Sequence, residues 1–322
     1  VEDLDPNAAS LLGQSARIDP FHVRRVNDDD MVEEVDQSDD LLERLKQEKI
    51  NALVSVVGGR GLSILYKLHR KGLNTICIPR SVENDVAATA VSFGFNTALS
   101  FTIEMLDRAR QAARSARQIG VVEVLGQQAG WLALQSGIAV GADAVLIPEM
   151  PYDLSAVAAC LKEKMTPSRP YGLVVVAEGA KPANSLHSEG SKPTTNSLRA
   201  SLSPLATGDS GEHVIQLSGK AAHTVARQLQ LLIAEETYPL VLGPWSRGGA
   251  PTAVDRQLGL AYGAAAVEAL KSDQQGVMAA FCPPHIEFIP LSEAINKVRN
   301  VRQDSEFVLV ARSLGICLGS ER

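Results

Sequence analysis

Asn51-Ala-Leu-Val-Ser-Val-Val57, running into Gly58-Gly59-Arg60-Gly61-Leu62, is the stretch on which the fold turns. A short apolar run, rich in β-branched residues and stopped by glycines, reads as a buried strand of a parallel sheet. Glycines after it suit a tight turn into a helix, whose backbone N–H groups can meet an anion.

Outward from this segment the same unit recurs. Upstream, the acidic stretch 29–40 reads as a solvated loop or helix start, followed by a helix over 41–48. Downstream come a helix over 62–71, a strand over Thr75–Pro79 and a long helix over Thr97–Ala116, with Leu99, Ile103, Leu106, Ala109 and Ala113 at helical spacing. Strands over Ile119–Leu125, Ala144–Ile147 and Gly172–Ala177 alternate with helices over 130–140 and 154–164. Residues 181–212, rich in Ser, Thr, Pro, Asn and Gly, read as a long mobile loop. Order returns with a helix over 219–233, a strand over Pro239–Leu242, a helix over 254–270, a strand over Val277–Ala280 and a final helix near 291–299. Strands alternating with helices predict an α/β protein with mainly parallel sheets.

The 322 residues suffice for two medium domains. A composition 45% apolar and 21% charged is that of a globular protein, and the net charge of −6 argues against nucleic acid or an anionic membrane as partner. No run reaches the ~20 apolar residues of a membrane helix. Cys77, Cys160, Cys282 and Cys317 are far apart in sequence and form no CxxC pair, which points to reduced thiols and a cytoplasmic setting.

Ligands of such sheets bind beyond the carboxyl ends of the strands. Three post-strand segments carry chemistry. Gly58, Gly59, Arg60 and Gly61 form a candidate phosphate loop, or only a turn. Glu83 and Asp85, one residue apart in Ser81–Asp85, can divide labour between accepting a proton and holding a metal, or can be a solvated capping pair. Arg247 beside Gly248-Gly249 can grip a phosphate, or serve a turn.

Together the segments resemble the phosphofructokinase family. Pro79–Asp85 (PRSVEND) is similar to the family's P-[GK]-T-I-D-N-D, and Gly94–Ala98 (GFNTA) follows at the family spacing. Val121–Ala133 (VVEVLGQQAGWLA), Val176–Ala180 (VAEGA), Leu242–Arg256 (LGPWSRGGAPTAVDR) and Ala311–Gly319 (ARSLGICLG) resemble further family motifs, as does Leu11–Phe21 with one residue inserted. The resemblance implies two Rossmann-like three-layer αβα domains. Residues 1–95 with 247–285 would form a donor-type domain, and 96–246 with 286–322 a sugar-phosphate-type domain. It further implies that the family's first strand and glycine-rich loop are absent, since Val1 falls after them.

The family moves a phosphoryl group from ATP, or in some branches pyrophosphate, to the 1-hydroxyl of fructose 6-phosphate in glycolysis, with Mg²⁺. By resemblance Glu83 takes the place of the aspartate base and Asp85 is retained, also as a weak metal ligand. Glu178, Arg247 and Gly126 fall on sugar-phosphate positions, and Gly58, Gly59, Arg60, Gly61 and Arg17 on donor-phosphate positions. Other positions depart. Arg60 and Leu62 replace the Asp and Ser that hold the metal–nucleotide. Gln118, Gln127, Tyr238 and Pro244 stand where the family has three arginines and a histidine. Each charged hydrogen bond is worth roughly 1.5–3 kcal/mol, so losing two or three weakens sugar-phosphate binding by ~1,000-fold or more. Gly61 matches ATP users, whereas Arg80 sits where pyrophosphate users carry Lys. Two roles stay open: a 6-phosphofructokinase with impaired catalysis, or a non-catalytic subunit binding a phosphorylated effector. The family's tetramers imply a homo-tetramer or a hetero-oligomer with an active paralogue.

Overall fold

The computed structural model describes residues 19–26, 31–183 and 219–320. In chain order the elements are β1 (Val23–Val26), β2 (Val32–Val35), α1 (Ser38–Gln47), β3 (Ala52–Val57), α2 (Gly59–Arg70), β4 (Asn74–Pro79), α3 (Phe95–Ala116) and β5 (Ile119–Val124). Then follow α4 (Trp131–Val140), β6 (Ala144–Leu146), α5 (Leu154–Lys164), β7 (Gly172–Ala177), α6 (Lys220–Ile233) and β8 (Thr237–Val241). The last are α7 (Ala253–Lys271), β9 (Val277–Cys282), β10 (His285–Pro290), α8 (Leu291–Ala294) and α9 (Glu306–Ser313). They fall into two compact units, Val1–Thr97 with Gly248–Arg299, and Ala98–Arg247 with Asn300–Arg322.

The first unit holds a four-stranded sheet in the order β10-β9-β4-β3. β3, β4 and β9 run parallel, and β10 is antiparallel to β9. Alternate residues of β4 and β9 feed opposite faces, as the strand period of two requires. Cys77, Met278 and Ala280 pack with Leu62 and Leu65 of α2 and with α8. Ile76, Ile78, Val277 and Ala279 pack with Leu258, Tyr262, Ala266 and Ala269 of α7. The unit is thus three-layered, helices on both faces. β3 was expected to be buried throughout. It is an edge strand of its sheet among the described residues, and Val54 and Val56 remain 40% and 44% exposed.

The second unit has a fully parallel sheet in the order β6-β7-β5-β8. β5, β6 and β7 are buried at every position, the mark of strands covered on both sides. One face packs on α5 and α6 through Val157, Leu161, Ala222, Val225 and Leu229. α4, buried along most of its length, contacts β6 and β7. Each fully buried aliphatic side chain contributes roughly 1.5–3 kcal/mol.

Four expectations need correction. The acidic stretch 29–40 contains β2, which pairs with β1 in a hairpin where Arg24 faces Glu34 and Arg25 faces Glu33. The helix expected near 291–299 is only the four residues of α8, and a separate helix, α9, follows. β10 pairs with β9 in full register, so the chain stays in the first unit through Arg299 rather than leaving it after 285. Leu125 and Ile147 lie just past the ends of their strands. The loop expected over 181–212 lies, from residue 184 on, outside the described residues, as does Arg17. Among the described residues no helix is long and apolar enough to cross a membrane.

Candidate active site

In the first unit, two loops lie side by side because β3 and β4 are neighbours in register, Val57 opposite Pro79. The Arg80 N–H donates to the Val57 carbonyl at 3.0 Å. Gly58 is the N-cap of α2 in extended conformation, and a Cβ there would stand 3.1 Å from the Arg80 carbonyl oxygen. A Cβ on Gly61 would stand 2.6 Å from Cβ of Val57. The glycines therefore let α2 start tight against the strand end. Arg60 is exposed at this N-terminus, while Leu62 is 1% exposed and fills the core below. α2 carries no acidic residue in its first turn. That arrangement favours an anion over a cation.

The neighbouring loop carries Glu83 and Asp85. Asn84 between them sits in the left-handed region at φ 55°, a conformation asparagine tolerates better than most residues. Its buried Oδ1 accepts from the Ser92 N–H at 2.8 Å. The Ser81 hydroxyl donates to Asp85 Oδ1, and the Glu83 N–H donates to Ser81 Oγ at 3.2 Å. From behind, the Arg299 N–H donates to the Asp85 carbonyl at 2.8 Å and its guanidinium reaches the Asn84 carbonyl at 3.5 Å. Burial pulls the Arg299 guanidinium below its ordinary pKa. Both carboxylates thus stand on a turn held from three directions, which is the preorganisation a reacting group needs.

A third cluster braces this unit. Asp255, 2% exposed on α7, accepts from the N–H groups of Gly94 at 2.8 Å and Thr97 at 2.6 Å, and from the Thr97 hydroxyl. It caps the start of α3 from another element. Thr252 caps α7 and bonds Asn96 Oδ1 at 2.9 Å.

In the second unit, the register of β5 with β7 and β8 gathers three further segments. The Glu178 N–H donates to the Val124 carbonyl and the Gly179 N–H to the Gly126 carbonyl, each at 3.0 Å. Gly126 has φ 144°, and any side chain on Gly179 would overlap the Gln127 carbonyl. Gly126 and Glu178 therefore stand on adjacent strand ends. On the other side of β5, the Leu242 N–H donates to the Glu123 carbonyl, and a single 3-10 turn over Gly243–Arg247 ends in an exposed Arg247. Tyr238 is 45% exposed and Pro244 is exposed.

Two carboxylates of this unit carry no role that their sequence positions assign. Glu123, 1% exposed, accepts from the N–H groups of Gly219 and Ala222 and so caps α6. Glu149 accepts from the Gly130 N–H at 3.0 and 3.1 Å and from the Val301 N–H at 2.7 Å. Glu149 follows β6, which was the available signal, whereas Glu123 lies within β5; in both cases only the fold reveals the partners.

Magnesium is usually held by one or two carboxylates together with substrate phosphates. Asp85 has one oxygen engaged by Ser81, and the α2 loop supplies a guanidinium. No group of three His, Cys, Asp or Glu side chains able to hold a metal occurs among the described residues. The donor set at the α2 loop does not fit a divalent cation.

Comparison with known proteins agrees with this geometry. A phosphofructokinase family model matches residues 1–270. An ATP-dependent 6-phosphofructokinase of Chloroflexus aurantiacus is 34% identical over 322 residues, covering 100% of this chain and 83% of that protein. ATP-dependent 6-phosphofructokinase 2 of Clostridium perfringens is 36% identical over 309 residues, 95% of this chain and 80% of that one. A pyrophosphate-dependent phosphofructokinase of Marinobacter aquaeolei superposes with a TM-score of 0.67 at 19% identity, covering 88% of this chain and 72% of that chain, and so supports the fold. The strand-end loops, their order along the chain and these relatives agree: the chain belongs to the phosphofructokinase family.

Proposed function

We propose that this chain is a 6-phosphofructokinase with a slow phosphoryl-transfer step, Glu83 acting as the general base toward the sugar 1-hydroxyl. The observation that carries the reading is the Ser81–Asp85 turn, which keeps a carboxylate at the base position and locks it through Asn84, Ser81 and Arg299. A base needs geometry first, then a suitable proton affinity. The extra methylene of Glu83 displaces its carboxylate by about 1 Å from where an aspartate would hold it, a shift that can cost ~100-fold in rate. Glu178, Gly126 and Arg247 take the sugar phosphate, and the α2 N-terminus with Gly58, Gly59, Arg60 and Gly61 takes the donor phosphates. The family works with Mg²⁺ and with ATP or pyrophosphate as donor. In this chain Arg60 neutralises donor charge at the loop where a metal-binding carboxylate would stand.

The test is a coupled assay for fructose 1,6-bisphosphate with Mg²⁺ and either donor, on the chain and on Glu83→Asp. Turnover should be low in the chain and rise ~10- to ~100-fold in the variant. Turnover within about tenfold of an ordinary phosphofructokinase refutes the impairment. The exposed cation at Arg60, with buried Leu62 beneath it, also favours a second reading, a non-catalytic subunit binding a phosphorylated effector. That reading predicts no product from either donor in either protein, with inorganic phosphate or fructose 6-phosphate still bound and the affinity lost in Arg60→Gln.

A further inference from the structure

In the second unit, away from the strand-end loops, a groove of about 700 Å³ opens between α5 and the segment that follows α9. Its lining includes Ile316 and Leu318, the charged Glu163 and Arg312, and two cysteines, Cys160 and Cys317. The cysteines are 157 positions apart in the chain, and the fold brings them together for a definite reason. The C-terminal segment lies beside β6, so that Cys317 forms a parallel bridge with Ala144. The Val145 N–H donates to the Cys317 carbonyl at 2.8 Å, and the Cys317 N–H donates to the Asp143 carbonyl at 3.0 Å. From α5, the Cys160 thiol reaches that same Asp143 carbonyl at 3.9 Å and hydrogen-bonds the Cys317 sulfur. Both side chains are part-exposed to the groove.

We propose that Cys160 and Cys317 form a redox-active dithiol that exchanges with low-molecular-weight disulfides entering this groove. The two sulfurs have different surroundings, and the difference assigns their roles. Cys317 Sγ accepts from the Gly319 N–H at 3.4 Å, a donor placed to meet negative charge that develops on that sulfur during exchange. Cys160 is pushed the other way, first by its hydrogen bond to Cys317 and then by burial and by Cys317 and Asp143, against the opposing pull of Lys164. Glu163 and Arg312 are the remaining charged groups of the groove. Cys317 is therefore the attacking sulfur and Cys160 the resolving one.

The exchange balances without any other reagent. Cys317 thiolate attacks one sulfur of the disulfide RSSR, the S–S bond breaks, and RS⁻ leaves and takes up the proton that Cys317 released. Cys160 then gives up its proton and attacks Cys317 Sγ. The mixed disulfide breaks, a second RS⁻ leaves and is protonated, and the Cys160–Cys317 bond remains. The dithiol is oxidised by two electrons and RSSR is reduced to two RSH. Cys77, by contrast, is wholly buried, with its thiol pushed up to about 12, and takes no part.

The folded, reduced chain is incubated with glutathione disulfide, its remaining thiols are alkylated, and the products are read by intact mass and peptide mapping. Two of the four thiols should disappear together, with a Cys160–Cys317 cross-link that dithiothreitol reverses. Cys160→Ser should stop at a glutathione adduct on Cys317, and Cys317→Ser should slow modification of Cys160 by ~10-fold or more. Circular dichroism confirms that both variants are folded. Persistence of all four thiols, a cross-link elsewhere, or no adduct on Cys317 in Cys160→Ser overturns the proposal.

Discussion

Replacing Asp255 by asparagine tests whether the family-like stretch Leu242–Arg256 serves architecture at its acidic end. Asp255 Oδ1 accepts from the Gly94 N–H at 2.8 Å, and Oδ2 from the Thr97 N–H at 2.6 Å and from the Thr97 hydroxyl. The carboxylate is 2% exposed, so water does not share the load. Asparagine has the same shape but a single acceptor oxygen. Its best orientation keeps that oxygen on Thr97 and turns an NH₂ toward the Gly94 N–H. One buried donor is then left unsatisfied, at roughly 1–3 kcal/mol, and the Thr97 bonds lose their charge assistance. The loss of negative charge beside the start of α3 adds a few tenths more. The sum is about 2–4 kcal/mol, confined to the opening of this corner. Tryptophan fluorescence would miss it, because both tryptophans, Trp131 and Trp245, belong to the second unit. Hydrogen–deuterium exchange of the peptide spanning 93–98, under conditions where exchange follows the opening equilibrium, reports it directly. Exchange at Gly94 and Thr97 should be ~30- to ~1,000-fold faster in Asp255→Asn. Acceleration below about threefold would show that the carboxylate is not what holds the α3 start, and the reasoning from its hydrogen bonds would fail.

Two further outcomes follow from packing and burial. Gly179→Ala places a Cβ on the Gln127 carbonyl oxygen, a backbone atom that cannot swing aside, so a destabilisation of about 3 kcal/mol or more is expected in a thermal-shift measurement. A midpoint equal to that of the parent chain would contradict this. The Cys77 thiol, raised by burial from 9.0 to about 12, stabilises the fold fully below pH 9 and loses that contribution as pH climbs toward 12, since the unfolded chain ionises first. Urea titrations should therefore show the parent chain losing up to about 4 kcal/mol more than Cys77→Ala across that window, and parallel pH profiles would refute it.

The legible parts of the fold were those whose signal is local. β3, β4, β5 and β7 announce themselves as apolar runs closed by glycine, proline or a carboxylate, and α3 and α6 by helical spacing. β1 and β2 do not, since both are short, largely exposed and charged, and only their antiparallel register with each other makes them strands. β10 hides between Pro283-Pro284 and Pro290, and its partner β9 supplies what the local pattern withholds. The same contrast governs the candidate site. To a reader of the sequence, Glu83, Glu123, Glu149, Glu178 and Asp255 are all carboxylates in family-like segments or just after a strand, and any of them invites a chemical role.

Three of those five are sorted out by where their oxygens point. Glu123 caps α6, Glu149 caps α4 and ties down Val301, and Asp255 caps α3, each with both oxygens accepting from backbone N–H groups. A carboxylate so engaged cannot accept a substrate proton without leaving buried donors unsatisfied, at about 1–3 kcal/mol each. Those three therefore hold the starts of α6, α4 and α3, an architectural task that their sequence positions alone do not reveal. The division also separates surface from support. Arg60, Gln127, Tyr238 and Pro244 are exposed, whereas Glu123 and Asp255 are buried. A chain can exchange the first set and keep its architecture; loss of any one of the second set would open a helix start.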